Sequence, residues 1–138
     1  GMPDEGLVIL KRLIECYLRQ AKFQQAEELI ANAGPAAKTD PILLILTAQA
    51  AAGSKNMEGA RRALDQAVAV DPENFLVYYK RAEFTSADPT LNRDTESDLQ
   101  QALKLKPDLT IARRMLAIRA SRIASSRFRR ERHASRIQ

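Results

Sequence analysis

Two residue types that often act in catalysis occur once each in this sequence, as Cys16 and His133. Cys16 stands beside Tyr17 in an apolar helical pattern, and no histidine or acid is placed by the sequence to activate it. A small core thiol is therefore favoured over a nucleophile. His133 is the single histidine and lies in an arginine-rich stretch without an evident partner for general base catalysis. We predict no catalytic residue and no enzymatic activity.

A short acidic series resembles a metal site more closely. Asn92, Asp94, Glu96 and Asp98 alternate as in a calcium-binding loop, but the glycine of the sharp turn and the glutamate at the twelfth position are missing. Acids in the first turn of a helix are favoured by its dipole and can cap its free amides, which we take as their role. The sequence also lacks a glycine-rich phosphate loop and a Cys or His cluster with metal spacing. We predict no metal and no cofactor.

Basic residues are concentrated at the end of the chain. From Arg113 onward there are nine arginines and one acid, Glu131, whereas the first 112 residues hold thirteen basic and sixteen acidic residues. Arginines neutralise the phosphates of RNA, DNA or anionic lipid, so an anion-binding tail that docks on nucleic acid or an acidic membrane is an alternative function. Phe128 is the only aromatic residue after Arg113, which gives base stacking little support, and a solvated capping helix explains the charge equally well. The binding residues in this alternative are Arg127, Arg129, Arg130 and Arg132.

Length and composition indicate which fold class holds these residues. The 138 residues suit one domain, and an abundance of Ala, Leu, Arg, Gln and Glu with few Gly and Pro predicts an all-α protein. No signal-peptide pattern or bilayer-spanning apolar run occurs, so we expect a soluble chain. Gly1 before Met2 resembles a residue left by tag removal, and we expect that the natural protein begins at Met2 or extends beyond this piece.

The clearest single element is the stretch Met57–Pro72. Its small and apolar residues are spaced mostly three or four apart, which predicts an amphipathic helix, and Asp71-Pro72 ends it. These residues are Ala60, Ala63, Leu64, Ala67, Val68 and Val70. Because the alanines leave little side chain on this face, a second helix can approach closely.

The same face recurs along the chain. Ala60, Leu64 and Ala67 have counterparts 34 residues earlier and 35 residues later. The counterparts are Ala26, Ile30 and Ala33, and then Thr95, Leu99 and Ala102. A second apolar helix is predicted before each of them, with Leu10, Leu44 and Tyr78 in register at 34-residue steps. These preceding helices are Leu7–Gln20, Pro41–Ala52 and Asn74–Thr85. Each unit is therefore predicted to be a helix pair.

Helix pairs at a spacing of ~34 residues resemble tetratricopeptide repeats. The middle unit matches the family pattern at Leu44, Ala48, Ala51, Ala60, Leu64, Ala67 and Pro72. The first matches at Leu10, Leu13, Tyr17, Ala26, Ile30 and Ala33, and the third at Tyr78, Ala82, Leu99, Ala102 and Pro107. The resemblance covers about residues 5 to 120 and implies an all-α, right-handed α-α superhelix of antiparallel helix pairs.

Several positions depart from that pattern, and we expect a third pair that packs more loosely. The departures are Ile14 for a small residue, Lys38 for proline, Thr47 and Arg81 for leucine, and Thr95 for alanine. A fourth unit begins with Leu116 and Ala117, but its second helix would present Arg129, His133 and Arg136. We expect three pairs in residues 1–108, with a capping helix and arginine-rich tail in residues 109–138. Past Ser125-Ser126 the tail is either a solvated helix, or disordered or held by another molecule.

The resemblance also implies where a partner binds, because the first helices of stacked pairs line a concave groove. The predicted groove residues are Lys11, Glu15, Arg19, Ile45, Gln49, Tyr79, Lys80, Glu83, Arg114 and Ile118, with Tyr79 as the aromatic anchor. Some members of the family clamp a terminal carboxylate with Lys and Asn; Lys11 suits that clamp, but Glu15 stands in the asparagine position. We predict a scaffold that binds a protein or peptide in this groove without that clamp. The open end of the array can also pair with a second copy of the chain.

Overall fold

Helices account for the architecture throughout the described chain. The computed structural model describes residues 4–137, with side chains over residues 4–136, so Gly1 and Met2 lie outside the described residues. In residues 4–137 no strand occurs, and one 3-10 turn spans Pro89–Leu91. The α-helices of this range are α1 (Asp4–Arg19), α2 (Phe23–Ala31), α3 (Ala36–Thr39), α4 (Pro41–Gly53), α5 (Met57–Val70), α6 (Phe75–Thr85), α7 (Asn92–Leu105) and α8 (Thr110–Ile137).

Consecutive helices pack as pairs through their small residues. Ala26 on α2, Ala60 on α5 and Thr95 on α7 are fully buried, as the 34- and 35-residue register predicts. The larger members of the same faces, Leu64 and Leu99, are buried as well. Short side chains at these positions let the two helices of a pair approach closely, so that the large residue between them fills the core. The prediction of an all-α array of helix pairs is confirmed.

Polar side chains cap the N-termini of α4 and α6, each of which is the first helix of its pair. The carboxylate of Asp40 accepts hydrogen bonds from the amides of Ile42 and Leu43, at 2.9 and 3.1 Å. Asn74, 34 residues later, accepts one from the amide of Leu76 at 3.0 Å. These side chains satisfy amides that have no partner within the helix, and they place α4 and α6 in the same register.

The first unit differs from the others after its second helix. Gly34 adopts a left-handed conformation with φ of 64°, where an L side chain is strained, and the short helix α3 follows it. Lys38, which stands in place of the usual proline, lies within α3. Ile14, large where a small residue is usual, is fully buried in the core of this unit. The sequence pattern did not predict α3.

The third unit includes polar contacts in its core. The hydroxyls of Thr85 and Thr95 are both buried and lie 2.8 Å apart. Arg81 donates two hydrogen bonds of 2.8 Å to the buried carboxylate of Asp98, and a third of 3.1 Å to Asp65. The hydrogen bonds that Arg81 donates to Asp98 raise the pKa of Arg81 above its ordinary value. Two departures from the repeat, Arg81 and Thr95, therefore each find a polar partner.

The last helix is longer than a repeat needs. Helix α8 continues without a break from Thr110 past Ser125-Ser126 to Ile137, which is the first of the two alternatives for the tail. Its early residues Ala112, Met115 and Leu116 pack against the third pair, whereas residues 121–136 are all exposed. Within residues 4–137, no helix combines the length and apolar character that crossing a membrane requires.

Close packing at the small positions is tested by Ala67→Arg. Because Ala67 is fully buried against a neighbouring helix, an arginine there overpacks the core and buries a charge. We expect the free energy of unfolding to fall by about 3 kcal/mol or more in urea denaturation. Ala69 is exposed on the same helix, so Ala69→Arg is the control, with a change within about 0.5 kcal/mol. Equal stability of the two variants would refute close packing at Ala67.

The ion pair of the third unit gives a second prediction. Arg81→Leu leaves the Asp98 carboxylate, whose side chain is 8% exposed, without its cation, and should destabilise the fold by about 3–5 kcal/mol. The double variant Arg81→Leu with Asp98→Leu should recover most of that loss, because an apolar pair needs no desolvated charge. Asp65→Ala removes the partner that is 54% exposed and should change stability by less than about 1 kcal/mol. Urea denaturation curves in which Arg81→Leu and Asp65→Ala are equally stable would contradict this assignment.

Candidate partner-binding groove

Three first helices share one open face. Helices α1, α4 and α6 lie side by side, and between them is a hollow of about 530 Å³. Leu18, Ile42 and Leu76 belong to its apolar lining, while Glu15 and Lys80 supply charge. The complete lining is Glu15, Leu18, Arg19, Phe23, Ile42, Ile45, Leu46, Gln49, Leu76 and Lys80. A chain segment with apolar side chains has room to lie across this face.

A second hollow continues the first toward the end of α6. It has a volume of about 250 Å³ and shares Ile45, Gln49 and Lys80 with its neighbour. The remaining residues of its lining are Ala48, Ala52, Leu64, Glu83 and Phe84. We call the two hollows together the groove. Gln49 is exposed at their junction, so its side chain contributes to both.

The structure brings together six of the ten predicted groove residues. Glu15, Arg19, Ile45, Gln49, Lys80 and Glu83 all line the groove. Arg114 and Ile118 are exposed on α8 and line neither hollow. Lys11 is held by Asp40, whose carboxylate lies 2.6 Å from the Lys11 ammonium.

The prediction of Tyr79 as an exposed aromatic anchor is wrong. Its side chain is only 7% exposed and packs with Ala82, Leu99 and Ala112 in the core of the third unit. Burial raises the pKa of the Tyr79 phenol, and the nearby Glu83 carboxylate raises it further. The physical reason is α8, which packs against the third pair and contributes Ala112 to the same core as Tyr79.

Two phenylalanines supply the aromatic surface instead. Phe23, at the start of α2, lines the first hollow, and Phe84, near the end of α6, lines the second. The Phe23 ring lies against Gly53, where an added Cβ would collide with the ring. Glycine at position 53 therefore makes room for the aromatic wall.

Some of the missed lining carries a sequence signal. Ile42 and Leu76 are apolar residues separated by 34 positions, and Val8 and Ile111 continue the series at spacings of 34 and 35. This spacing therefore indicates Ile42 and Leu76 as candidates for the groove floor, although Val8 and Ile111 line neither hollow. Phe23 has no such signal, because it comes from a second helix and Met57 stands 34 positions later.

Charges of both signs surround the apolar floor. Glu15 and Arg19 border the groove on α1, and Lys80 and Glu83 border it on α6. Lys80 and Glu83 are 3.6 Å apart, a partly exposed pair that can exchange its contacts with those of a ligand. A partner with apolar side chains flanked by mixed charges would match this surface.

The remaining candidate residues do not assemble into a reaction centre. Cys16 is exposed on α1, so its prediction as a core thiol is wrong: the first helix has no earlier repeat against its outer face within the described residues. His133 is exposed on α8. Over residues 4–136, no group of three or more His, Cys, Asp or Glu side chains is placed to hold a metal ion.

The acidic series of α7 has a different role from the predicted cap. Helix α7 begins without a side-chain hydrogen bond to its free amides, and Asp98 pairs with Arg81 instead. Asp94 lies in the first turn, where the helix dipole favours it. The alternative anion-binding residues are all exposed on α8: Arg127, Arg129, Arg130 and Arg132.

Comparisons with known proteins found solved structures with a similar fold. No protein-family model and no curated protein sequence matches the chain. The solved structure of the first TPR domain of the human RPAP3 protein is similar, with 24% identity and a TM-score of 0.73, over 86% of this chain and 92% of that one. The first TPR of Spaghetti (RPAP3) bound to HSP90 peptide SRMEEVD is also similar, with 22% identity and a TM-score of 0.72, over 89% and 97%.

These likenesses establish the fold. The chain has the fold of a tetratricopeptide-repeat domain, an all-α superhelix of antiparallel helix pairs. The resemblance to tetratricopeptide repeats, which we inferred from the joint register of three units, is therefore confirmed for the fold. One of the similar domains was solved with a bound peptide, which is a property of that domain.

Proposed function

We propose that this chain is a non-enzymatic interaction scaffold whose groove binds a peptide or a helix of a partner protein. The observation that carries the proposal is the groove itself, in which apolar side chains of α1, α4 and α6 form a floor with charges of both signs along its rim. Because packed helices hold these side chains in place, most of the conformational entropy lost on binding comes from the partner.

The solved complex of a similar domain with the peptide SRMEEVD supports a peptide as the occupant. The details of recognition should differ here. Lys11 is already paired with Asp40, and Glu15 adds a negative charge where the carboxylate clamp of the family has asparagine. We therefore propose that apolar side chains seated over Ile42, Ile45 and Leu76, rather than a clamped terminal carboxylate, provide most of the affinity.

The proposed site includes only some of the groove residues that the sequence predicts. Glu15, Arg19, Gln49, Lys80 and Glu83 contact the partner around the apolar floor, and Phe23 and Phe84 replace Tyr79 as aromatic surfaces. Lys11, Arg114 and Ile118 lie at or beyond its margins and would contact only a longer ligand.

Gln49→Trp tests this proposal by filling the groove. Gln49 is exposed where the two hollows meet, so an indole at this position should block the ligand without disturbing the core. The ligands are peptides selected from a displayed random library against the intact chain. We expect Gln49→Trp to weaken their binding at least tenfold in fluorescence anisotropy titrations, since an excluded apolar anchor removes more than about 1.4 kcal/mol.

Gln66→Trp is the matched control. Gln66 is exposed on α5 and lines neither hollow, so this change should leave the dissociation constant unaltered. Equal effects of the two substitutions, or failure of the intact chain to select any saturable ligand, would contradict the proposal.

A further inference from the structure

A second, separate groove is left open beside the last helix. In the two preceding units, α5 covers α4 and α7 covers α6, but within residues 4–137 no helix returns to cover α8. The space between α7 and α8 is a hollow of about 630 Å³. We call it the α7–α8 groove; its lining is Glu96, Gln100, Leu116, Ala120, Ile123, Ala124, Arg127, Phe128 and Glu131.

The apolar side chains of this groove are exposed toward the end of α8. Ile123 is 51% exposed and Phe128 is 60% exposed, and with Ala120 and the half-buried Leu116 they form one stripe along α8. From Leu116 to Phe128 the stripe is about 18 Å long, or roughly three helical turns. Those dimensions fit a helix of comparable length packed against α8 and α7.

Charges of both signs border the stripe: Glu96 and Glu131 are the acids of the lining, but along α8 itself arginines outnumber acids nine to one. Arg127 lines the groove, and the Arg132 guanidinium lies 5.7 Å from the centre of the Phe128 ring. Among the side chains of residues 4–136, none of the arginines of α8 forms an ion pair. An occupant that carries acids next to an apolar face would neutralise these cations and cover the stripe at the same time.

We propose that the α7–α8 groove docks an acidic amphipathic helix of a partner protein. A second copy of the chain fits less well, because pairing two α8 helices would bring two arginine-rich segments together. Nucleic acid would use the arginines but would leave Ile123 and Phe128 uncovered. A flat bilayer that covered the stripe would bury the carboxylates of Glu96 and Glu131, whereas a single helix leaves them in water at the margins of the groove.

The test uses a defined probe with the intact chain. The probe is a fluorescein-labelled, hydrocarbon-stapled helix of 18 residues with leucine and alanine on one face and glutamates along both edges of that face, a length of roughly 27 Å. We expect saturable binding with one probe per chain, weakened at least threefold when the salt concentration rises from 50 to 200 mM, since screening reduces the attraction of the arginines. Absence of saturable binding at low salt would overturn the proposal.

Two matched pairs of variants distinguish the groove from general attraction to positive charge. Arg127→Glu alters the groove lining, whereas Arg129→Glu makes the same charge change two residues later, about 200° around the helix. We expect the first to weaken probe binding at least tenfold and the second less than threefold. Ile123→Ser should weaken binding at least fivefold, while Ile9→Ser, at an exposed isoleucine of α1, should not.

Each other occupant predicts a different result, and each would overturn the proposal. Equal effects of Arg127→Glu and Arg129→Glu would indicate nonspecific anion binding. Tighter binding of an 18-nucleotide oligothymidylate or of vesicles containing phosphatidylserine, insensitive to Ile123→Ser, would indicate nucleic acid or membrane. A dimer in sedimentation equilibrium that Ile123→Ser dissociates would indicate a second copy. Because Gln49→Trp lies in the other groove, it should leave probe binding unchanged, which separates this test from that of the proposed function.

Discussion

Close approach of paired helices through small side chains is the constraint on which the rest of the structure depends. Ala26, Ala60 and Thr95 occupy equivalent places at the contact, and all three are fully buried. A larger residue there would push the two helices apart and expose the leucine or isoleucine between them. Because each pair is closed in the same way, successive pairs stack with one face of their first helices left free.

That free face is the basis of the function we propose. Helix α4 serves both packing and the groove: Leu44 is buried in the core, Ile45 and Ala48 belong to the core and also line the groove, and Gln49 remains exposed. Polar contacts in the third unit also hold its two helices together. Arg81 and Asp98 occupy positions that otherwise favour apolar residues, and their mutual hydrogen bonds keep α6 beside α7.

Periodicity predicted much of this fold because a helix face has a direct signature in sequence. The three helix pairs, the buried faces of α2, α5 and α7 and the failure of a fourth repeat all follow from spacings of 34 and 35 residues. Periodicity does not show which neighbouring helices cover a given helix face. Tyr79 stands at a groove position by register but shares a buried core with Ala112 of α8, and Cys16 is exposed because it lies on the first helix. Phe23 reaches the groove from outside the first-helix register, and Gly53 makes room for it.

The central claim is that the face shared by α1, α4 and α6 is the partner-binding surface. The most direct measurement is a titration of the isotopically labelled chain with a selected peptide, followed through backbone amide chemical shifts. The account predicts the largest shift changes at Glu15, Gln49 and Lys80, with those of α7 and of residues 121–136 nearly unchanged. Changes concentrated on α7 or on the exposed part of α8, with the groove residues unaffected, would contradict it.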